Sequence, residues 1–339
     1  MRLILTLLLL VTSLTCQAFG VGSRLETLGD GQHERRLQVR IFYPTDDTAA
    51  ATLQAANGVF AGFSAVRGAR PVAGHFPLIV LSHGSGGNNA SLAWLAVPLA
   101  ARGAIVIAAN HPGSTTGDSR PQTDLTLQIR DLSQLISHYL QAPAWRPYID
   151  ANNVGAIGHS KGGYSVLALA GAQMTRQSLT RYCQQMPQMP DCQFYQRGGV
   201  QREQTDNARL AARYRDTRVK WVVALDPGMS YAFTPASLQA VTIPVQVIAA
   251  GYYIRATGSM TLGAERLPLP VTVLKDAGHF DFLPLCQPTA QKILAQEEEG
   301  EAFICETSAA ERESVHRRAI AAVEALMQRA AESAAKPAP

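Results

Sequence analysis

The chain has 339 residues, of which 47% are hydrophobic and 17% charged, and its formal net charge is +4. So much apolar material excludes a disordered or collagen-like polymer, and so small a positive surplus, without interleaved basic and aromatic residues, does not indicate nucleic-acid binding. No interior apolar run approaches the roughly 18 residues of a membrane span, so we expect no integral membrane association.

Residues 1–18 have the pattern of a secretory signal peptide. The apolar stretch Leu3–Leu14 follows a positive charge, and Cys16-Gln17-Ala18 forms a small-x-small cleavage site. A lipid-attached Cys16 is the alternative interpretation. The pattern predicts a periplasmic or secreted protein in which residues 19–339 form a single domain.

Short apolar runs typical of strands alternate with segments of helical periodicity through the rest of the chain. The predicted strands are Leu37–Tyr43, Pro77–Ser82, Ala104–Ala109, Val154–Gly158, Val219–Leu225, Val245–Ala249 and Val271–Leu274. The predicted helices between them include Ser91–Arg102, Asp124–Leu140 and Lys161–Met174. Strands that are apolar on both faces and alternate with helices indicate an α/β protein, with a mostly parallel sheet covered by helices on both sides.

The polar segment 175–216 interrupts this alternation, and we interpret it as a cap-like insertion beside the site. Nine basic and four acidic residues lie between Arg176 and Lys220, which indicates either a solvated surface or a subsite for an anionic substrate group. Further on, a capping-box pattern at Ser308 predicts a C-terminal helix over residues 308–334.

Four cysteines remain once residues 1–18 are removed. An even number in an oxidising compartment indicates disulfides, in one of three possible pairings. The simplest pairing joins Cys183 to Cys192 and Cys286 to Cys305, because each pair is near in sequence. Four buried free thiols are the alternative. A zinc site is not indicated, because no two cysteines have CxxC spacing and no histidine stands near them in a ligand pattern.

The clearest chemical motif is Gly158-His159-Ser160-Lys161-Gly162, which follows a predicted strand and opens a predicted helix. In that setting the G-x-S-x-G pattern is typical of a nucleophile elbow, where a tight turn presents the serine above the end of the strand. Small residues at both ends of the motif let the neighbouring backbone approach. Ser160 is therefore the candidate nucleophile. The alternative is an ordinary connection with a capping serine.

A serine nucleophile needs a base, and the base needs an acid to orient it. His279 follows the last predicted strand and is the candidate base, while Asp226 follows the strand Val219–Leu225 and is the candidate acid. A capping role in a turn is the alternative for Asp226. Asp276 and Asp281 are reserve acids, although their closeness to His279 in sequence would require an unusual loop.

A third requirement is a site for the negative charge that develops on the substrate oxygen. The glycine-rich segment Ser82–Gly87 follows a predicted strand, and we expect the backbone amides of Ser85 and Lys161 to form this oxyanion hole. A phosphate-binding loop is the alternative, but the segment lacks the GK[ST] ending. His83, His111 and His159 lie near the predicted site, where they would support it or contact the substrate.

Four motifs together carry a resemblance to a known family. The chain resembles the secreted bacterial dienelactone-hydrolase-like proteins, which are similar to the platelet-activating-factor acetylhydrolases, over Ser82–Gly87, Asn110–Ser114, Gly158–Tyr164 and Gly278–Phe282. The resemblance implies an α/β-hydrolase fold, no cofactor, and hydrolysis of esters or lactones by a serine triad. Two departures are Lys161, where relatives often carry an apolar or aromatic residue, and Ser160, where true dienelactone hydrolases commonly use cysteine.

These patterns predict a secreted serine hydrolase that cleaves a small-molecule carboxylic ester or lactone through an acyl-enzyme. The order Ser160, Asp226, His279 is that of the α/β-hydrolases. We expect no cofactor and no metal. A peptidase, amidase or acyltransferase using the same residues is one alternative, and a non-catalytic binding protein that keeps the fold is another. The oligomeric state, the acyl chain length and the substrate do not follow from the sequence.

Overall fold

The computed structural model describes residues 18–29, 35–119, 124–197, 204–297 and 301–335. The predicted signal peptide, except for Ala18, and the last four residues lie outside these ranges. Within them, no helix has the length and apolar character needed to cross a bilayer.

The described strands form a ten-stranded mixed sheet and a small hairpin. The order in the sheet is β12-β11-β10-β9-β5-β6-β2-β1-β4-β3. The six strands from β12 to β6 run parallel to their neighbours. Beyond β6, the pairs β6–β2, β2–β1 and β4–β3 are antiparallel and the pair β1–β4 is parallel. The strands are β1 (Gly20–Leu28), β2 (Leu37–Thr45), β3 (Thr52–Gln54), β4 (Phe63–Arg67), β5 (Phe76–Ser82), β6 (Ile105–Ala109), β9 (Ile149–His159), β10 (Val219–Leu225), β11 (Val245–Tyr252) and β12 (Val271–Gly278), with β7 (Ser114–Thr115) and β8 (Asp118–Ser119) in the hairpin.

All seven predicted strands are present, and the mostly parallel α/β sheet is confirmed. The sequence missed β1, β3, β4 and the hairpin strands. β1 alternates between buried and exposed positions and contains Arg24 and Glu26, so it lacks the apolar run that marks a strand buried on both faces. The other missed strands have two to five residues, too few for a periodic signal.

Helices cover both faces of the sheet. The buried apolar side chains fall into two clusters: one contains residues of α2 and α3, and the other contains residues of α1 and α9. Burial of these two faces is the main favourable contribution to folding. The helices are α1 (Ala93–Ala101), α2 (Leu127–Tyr139), α3 (Lys161–Ala170), α4 (Arg176–Gln185), α5 (Pro190–Arg197), α6 (Asn207–Leu210), α7 (Pro235–Gln239), α8 (Ala290–Glu297) and α9 (Ala309–Ala335).

Two helix ends show how local chemistry sets the boundaries. α3 ends four residues before the predicted Met174, because Gly171 adopts a left-handed conformation with φ of 115°. At the start of α9, the backbone N–H of Ser308 donates to Glu311, and the N–H of Glu311 donates to the Ser308 hydroxyl. This is the reciprocal capping-box arrangement that the sequence predicts there.

The segment 175–216, which we call the cap, leaves the sheet after α3 and returns at β10. Its described part contains α4, α5 and α6. The Ser178 hydroxyl in α4 donates to the carbonyl of Ala232 (2.6 Å), which ties the cap to the loop after β10.

Both expected disulfides are present. Cys183 and Cys192 join α4 to α5, with Cα atoms 5.5 Å apart, and Cys286 and Cys305 close a loop that precedes α9, with Cα atoms 6.0 Å apart. The first disulfide cross-links α4 and α5 within the cap. The second lies close to the C-terminal helix, since Arg312 Nη1 approaches Cys286 Sγ (3.0 Å).

Candidate active site

Strand register brings the candidate residues to one edge of the sheet. Gly158 and His159 in β9 pair with Ser82 in β5 and Leu225 in β10, respectively. Because all three strands are parallel, the residues that follow them emerge side by side at their carboxyl ends. This edge is where open α/β sheets bind ligands.

Ser160 occupies a strained turn between β9 and α3. Its backbone has φ of 56° and ψ of −119°, a conformation that costs a non-glycine residue on the order of 1–3 kcal/mol. The motif glycines make the turn possible: a Cβ on Gly158 would overlap the Gly162 carbonyl, and a Cβ on Gly162 would overlap the Ser82 carbonyl. This backbone is that of a nucleophile elbow.

His279 and Asp226 form a short hydrogen bond. The Nδ1–H of His279 donates to Asp226 Oδ2 (2.6 Å), and both side chains are buried. Asp226 Oδ1 accepts the N–H of Ala250 (2.9 Å), so the carboxylate is held from two sides. With Nδ1 donating, Nε2 of His279 is the ring nitrogen that can accept a proton.

Backbone hydrogen bonds join the three loops that carry these residues. The N–H of Ser160 donates to the Leu225 carbonyl (3.1 Å), and the N–H of Gly228 donates to the Ser160 carbonyl (3.0 Å). On the other side, the Nε2–H of His159 donates to the His279 carbonyl (2.9 Å). The loops that carry the candidate nucleophile, acid and base are therefore hydrogen-bonded to one another.

The glycine-rich loop after β5 lies against Ser160. A Cβ on Gly84 would come within 3.0 Å of Ser160 Cβ, so only a glycine allows this approach without displacement. Ser85 follows directly. Lys161 is the first residue of α3, and the backbone N–H groups of a helix's first turn point toward its N-terminal end. These positions suit the amides of Ser85 and Lys161 to an oxyanion hole.

Comparisons with known proteins agree with this architecture. The prolyl oligopeptidase family model matches residues 90–177, which run from near the start of α1 to the cap. The fold is similar to that of a ferulic acid esterase from Streptomyces cinnamoneus, with a TM-score of 0.59 and 20% sequence identity, over 92% of this chain and 90% of the esterase chain. The chain has the α/β-hydrolase fold. No curated protein matches the sequence.

Beside the strained turn, His83 holds the peptide bond that leads to Ser85. Its Nδ1–H donates to the Gly84 carbonyl (2.7 Å), and its Nε2 accepts the N–H of His111 (3.2 Å). Burial lowers the pKa of His83 well below its usual range, so the ring is neutral. Because a trans peptide is planar, holding the Gly84 carbonyl in one direction points the Ser85 N–H in the opposite one.

A second Ser-His-Asp set lies beneath this loop. His111 Nδ1 donates to Asp131 Oδ2 (2.9 Å), and its Nε2 accepts from the Ser82 hydroxyl (3.1 Å). Arg35 forks onto the same carboxylate, with Nε and Nη2 at 2.7 and 3.1 Å. Burial raises the pKa of Asp131, but the hydrogen bonds from His111 and Arg35 and the guanidinium charge of Arg35 outweigh it and lower the pKa overall.

The three histidines that the sequence suggested for support or substrate contact are buried. His83, His111 and His159 have exposed fractions of 3%, 0% and 3%. The ring of His159 packs against that of His279 at 4.6 Å between centroids, and its Nδ1 has no hydrogen-bond partner in the described part of the chain. These contacts suit positioning of neighbouring groups better than contact with substrate.

Lys161 is buried although it carries an ammonium group. Its Nζ lies 3.4 Å from the Ser114 hydroxyl, and burial lowers its pKa from 10.5 to about 8. Nearby Arg35 lowers the pKa further, whereas Asp131 and Asp124 oppose the shift. The ammonium group of Lys161, the residue after the candidate nucleophile, thus interacts electrostatically with charged groups around the second Ser-His-Asp set.

A cavity of about 510 Å³ lies between the cap and the ends of β11 and β12. Met186 and Met189 line it from the cap, and Gly251 and Lys275 line it from the sheet. Ala250 also lines the cavity, and its N–H donates to Asp226, which does not itself line this space.

Sequence reasoning missed Asp131 and Asp191. Asp131 could have been found, because it is an acidic residue on the apolar face of a predicted helix, beside Leu132. Asp191 gave no such signal, because its importance depends on the tertiary contact described below. Across the described ranges, no group of three or more histidine, cysteine or acidic side chains is arranged to hold a metal ion.

Proposed function

We propose that this protein is a serine hydrolase that cleaves carboxylic esters or lactones through an acyl-enzyme. The observation that carries the proposal is the Asp226–His279 hydrogen bond at the sheet edge where Ser160 occupies a strained elbow. A capping serine or a turn aspartate would not require this combination of strain, burial and pairing.

The mechanism starts with His279 Nε2, which removes the hydroxyl proton of Ser160 as the oxygen attacks the substrate carbonyl carbon. The Ser85 and Lys161 amides stabilise the negative charge that develops on the carbonyl oxygen. Asp226 keeps the proton on Nδ1 and stabilises the imidazolium. The carbon–oxygen bond to the leaving alcohol then breaks, and the imidazolium returns its proton to that alcohol.

Deacylation repeats these steps with water. His279 takes a proton from the water, whose oxygen attacks the acyl-enzyme carbonyl, and Ser160 leaves with that proton. The products are a free acid and the regenerated enzyme, so no external oxidant, metal or cofactor enters the balance. His83 assists by holding the Gly84–Ser85 peptide in the orientation that both steps use.

We favour ester cleavage over peptide cleavage because the two matches cover different shares of the chain. The esterase likeness spans nearly the whole chain, whereas the prolyl oligopeptidase match is confined to residues 90–177. That match nevertheless makes a peptidase the second candidate. The two disulfides support action outside the reducing cytoplasm, in the periplasm or after secretion.

The test compares Ser160→Ala with the wild type on p-nitrophenyl esters, lactones and anilides. We expect the wild type to hydrolyse esters or lactones and to react with a fluorophosphonate probe, and S160A to lose up to about 10⁶-fold in turnover and all labelling. Ser64→Ala, at an exposed position on β4, is the control. Ester hydrolysis retained in S160A would contradict the proposal, and faster cleavage of anilides than of esters would favour the peptidase.

A further inference from the structure

The loop that carries the candidate acid is held in a conformation that its residues do not favour. Two of its four residues, Asp226 and Met229, have positive φ values of 37° and 57° although neither is glycine. Such residues persist only where surrounding contacts fix them. The contacts that hold this loop therefore bear on where the Asp226 carboxylate lies.

One of these contacts comes from the cap. Asp191 Oδ2 accepts the backbone N–H of Met229 (2.6 Å). Its other oxygen accepts the hydroxyl of Tyr182 (2.7 Å) and the N–H of Cys192 (2.9 Å). Three donors thus converge on one partly buried carboxylate, and one of them is the N–H of Met229, a residue with positive φ.

The part of the cap around Asp191 is cross-linked. Tyr182 and Cys183 are adjacent in α4, and the Cys183–Cys192 disulfide places α5 beside them. The ring of Tyr182 also stacks on Tyr231, with centroids 5.3 Å apart, three residues beyond Gly228. Asp191 therefore connects a cross-linked part of the cap to the acid loop.

The loop 226–229 contacts both the candidate nucleophile and the candidate base. Gly228, directly before Met229, donates its N–H to the Ser160 carbonyl (3.0 Å), and Asp226 bonds His279 at the other end of the loop. A change in the backbone at Met229 would therefore shift the adjacent Gly228, which bonds Ser160. It would also shift Asp226, which is separated from Met229 by two residues.

We propose that Asp191 is a positioning residue, which holds the strained loop 226–229 in the conformation that directs Asp226 at His279. The cap then supports catalysis by fixing the conformation of this loop. The proposal rests on the proposed function, because it assigns Asp191 a part in the same reaction. It makes the cap contribute to turnover through the backbone and without substrate contact.

The main test is Asp191→Asn, which keeps the size of the side chain and removes its charge and one acceptor. We expect kcat for an ester substrate to fall by about 10²-fold, with KM changed by less than about threefold, because misplacement of reacting groups lowers turnover more than binding. Asp206→Asn is the matched control, since Asp206 is an exposed carboxylate of the same cap that caps α6. It should leave both constants unchanged.

Met229→Gly separates positioning from general stability. Glycine adopts positive φ without strain, so the loop should depend less on Asp191 in that background. We expect D191N to cost less than about tenfold in kcat when M229G is present. An equal loss in both backgrounds, or a D191N effect confined to KM, would overturn the proposal.

Two further measurements keep the outcome clear. If D191N does not fold, Tyr182→Phe takes its place, because it removes the hydroxyl that orients the Asp191 carboxylate toward Met229. We expect a loss of kcat of about three- to tenfold, and unchanged kcat overturns the proposal. The S160A variant distinguishes the two proposals. Activity that disappears in S160A but not in D191N defeats only the role of Asp191, whereas activity that survives S160A defeats the proposed function itself.

Discussion

The protein contains two sets of serine, histidine and aspartate that lie under the same loop and differ in what surrounds them. In one, His279 bonds Asp226 at 2.6 Å; in the other, His111 bonds Asp131 at 2.9 Å and Ser82 at 3.1 Å. Residue types and the histidine–aspartate distances alone do not distinguish them.

The difference lies in the serine and in the charge on the acid. Ser82 is fully buried at the end of a regular strand, whereas Ser160 is partly exposed in a strained turn. The negative charge of Asp131 is already balanced by the guanidinium of Arg35, whereas Asp226 bonds an imidazole and a neutral backbone amide. An acid paired with arginine has less to offer a developing imidazolium, so the second set suits support of the loop and the first suits catalysis.

The largest effect that would separate the two sets is at their acids. We expect Asp226→Asn to lower kcat by about 10⁴-fold, because His279 would then lose the partner that sets its tautomer. Asp131→Asn should cost at most about tenfold in kcat, and should act mainly on folding. Steady-state kinetics with an ester and urea unfolding of both variants provide the measurements.

For the free energy of unfolding, we expect the larger loss in D131N and the smaller in D226N. D131N leaves the forked guanidinium of Arg35 without its counterion, and we expect the free energy of unfolding to fall by about 2 kcal/mol, since Arg35 is partly solvated. D226N should change it less. If D131N were as inactive as D226N while remaining equally stable, the distinction between a supporting and a catalytic set would be wrong.

A smaller effect concerns Lys161, which lies between the two sets. Because its pKa in the folded protein is about 8 and its ordinary value is 10.5, the unfolded chain holds the proton more strongly between these pH values. Stability therefore rises as pH increases from 8 to 10.5, by up to about 3 kcal/mol in total. Below pH 8 both states are protonated, and the full cost of the buried charge is present.

Lys161→Met removes this titration and keeps the backbone amide. We expect the difference in unfolding free energy between wild type and K161M to shrink as pH rises from 7 to 10, in urea titrations at each pH. Lys220→Met, at an exposed position on β10, should give a constant difference. A K161M difference that stays constant over this range would mean that the ammonium is not held at a lowered pKa.

The contrast between the two sets also shows what sequence can predict. The central strands are continuous apolar runs because they are buried on both faces, and the elbow is a local motif, so both were visible. The disulfide pairs were visible because each joins cysteines close in sequence, and the structure has the same pairs. The proposed roles of Ser160, Asp226 and His279 stay predictions until activity is measured.

What sequence could not supply is the partner of each buried polar group. His111 was placed near the site, but its bond to Asp131 depends on how α2 packs beneath the loop after β5. The contact of Asp191 with Met229 depends on the fold of the cap, and it joins residues 38 apart in sequence. In both cases the local pattern is ordinary and the tertiary contact carries the information.

A kinetic effect smaller than that of D226N is expected at His83, which connects the second set to the first. His83→Ala removes the donor to the Gly84 carbonyl and leaves the weaker Gly87 N–H bond (3.1 Å), so the Gly84–Ser85 peptide can rotate. We expect kcat to fall by about 10²-fold at most, with KM nearly unchanged, because an oxyanion donor acts on the transition state. His138→Ala, at an exposed position on α2, is the control. A rise in KM with kcat unchanged would instead assign His83 to substrate binding, as the sequence first suggested, and the second set would then contribute to catalysis only through stability.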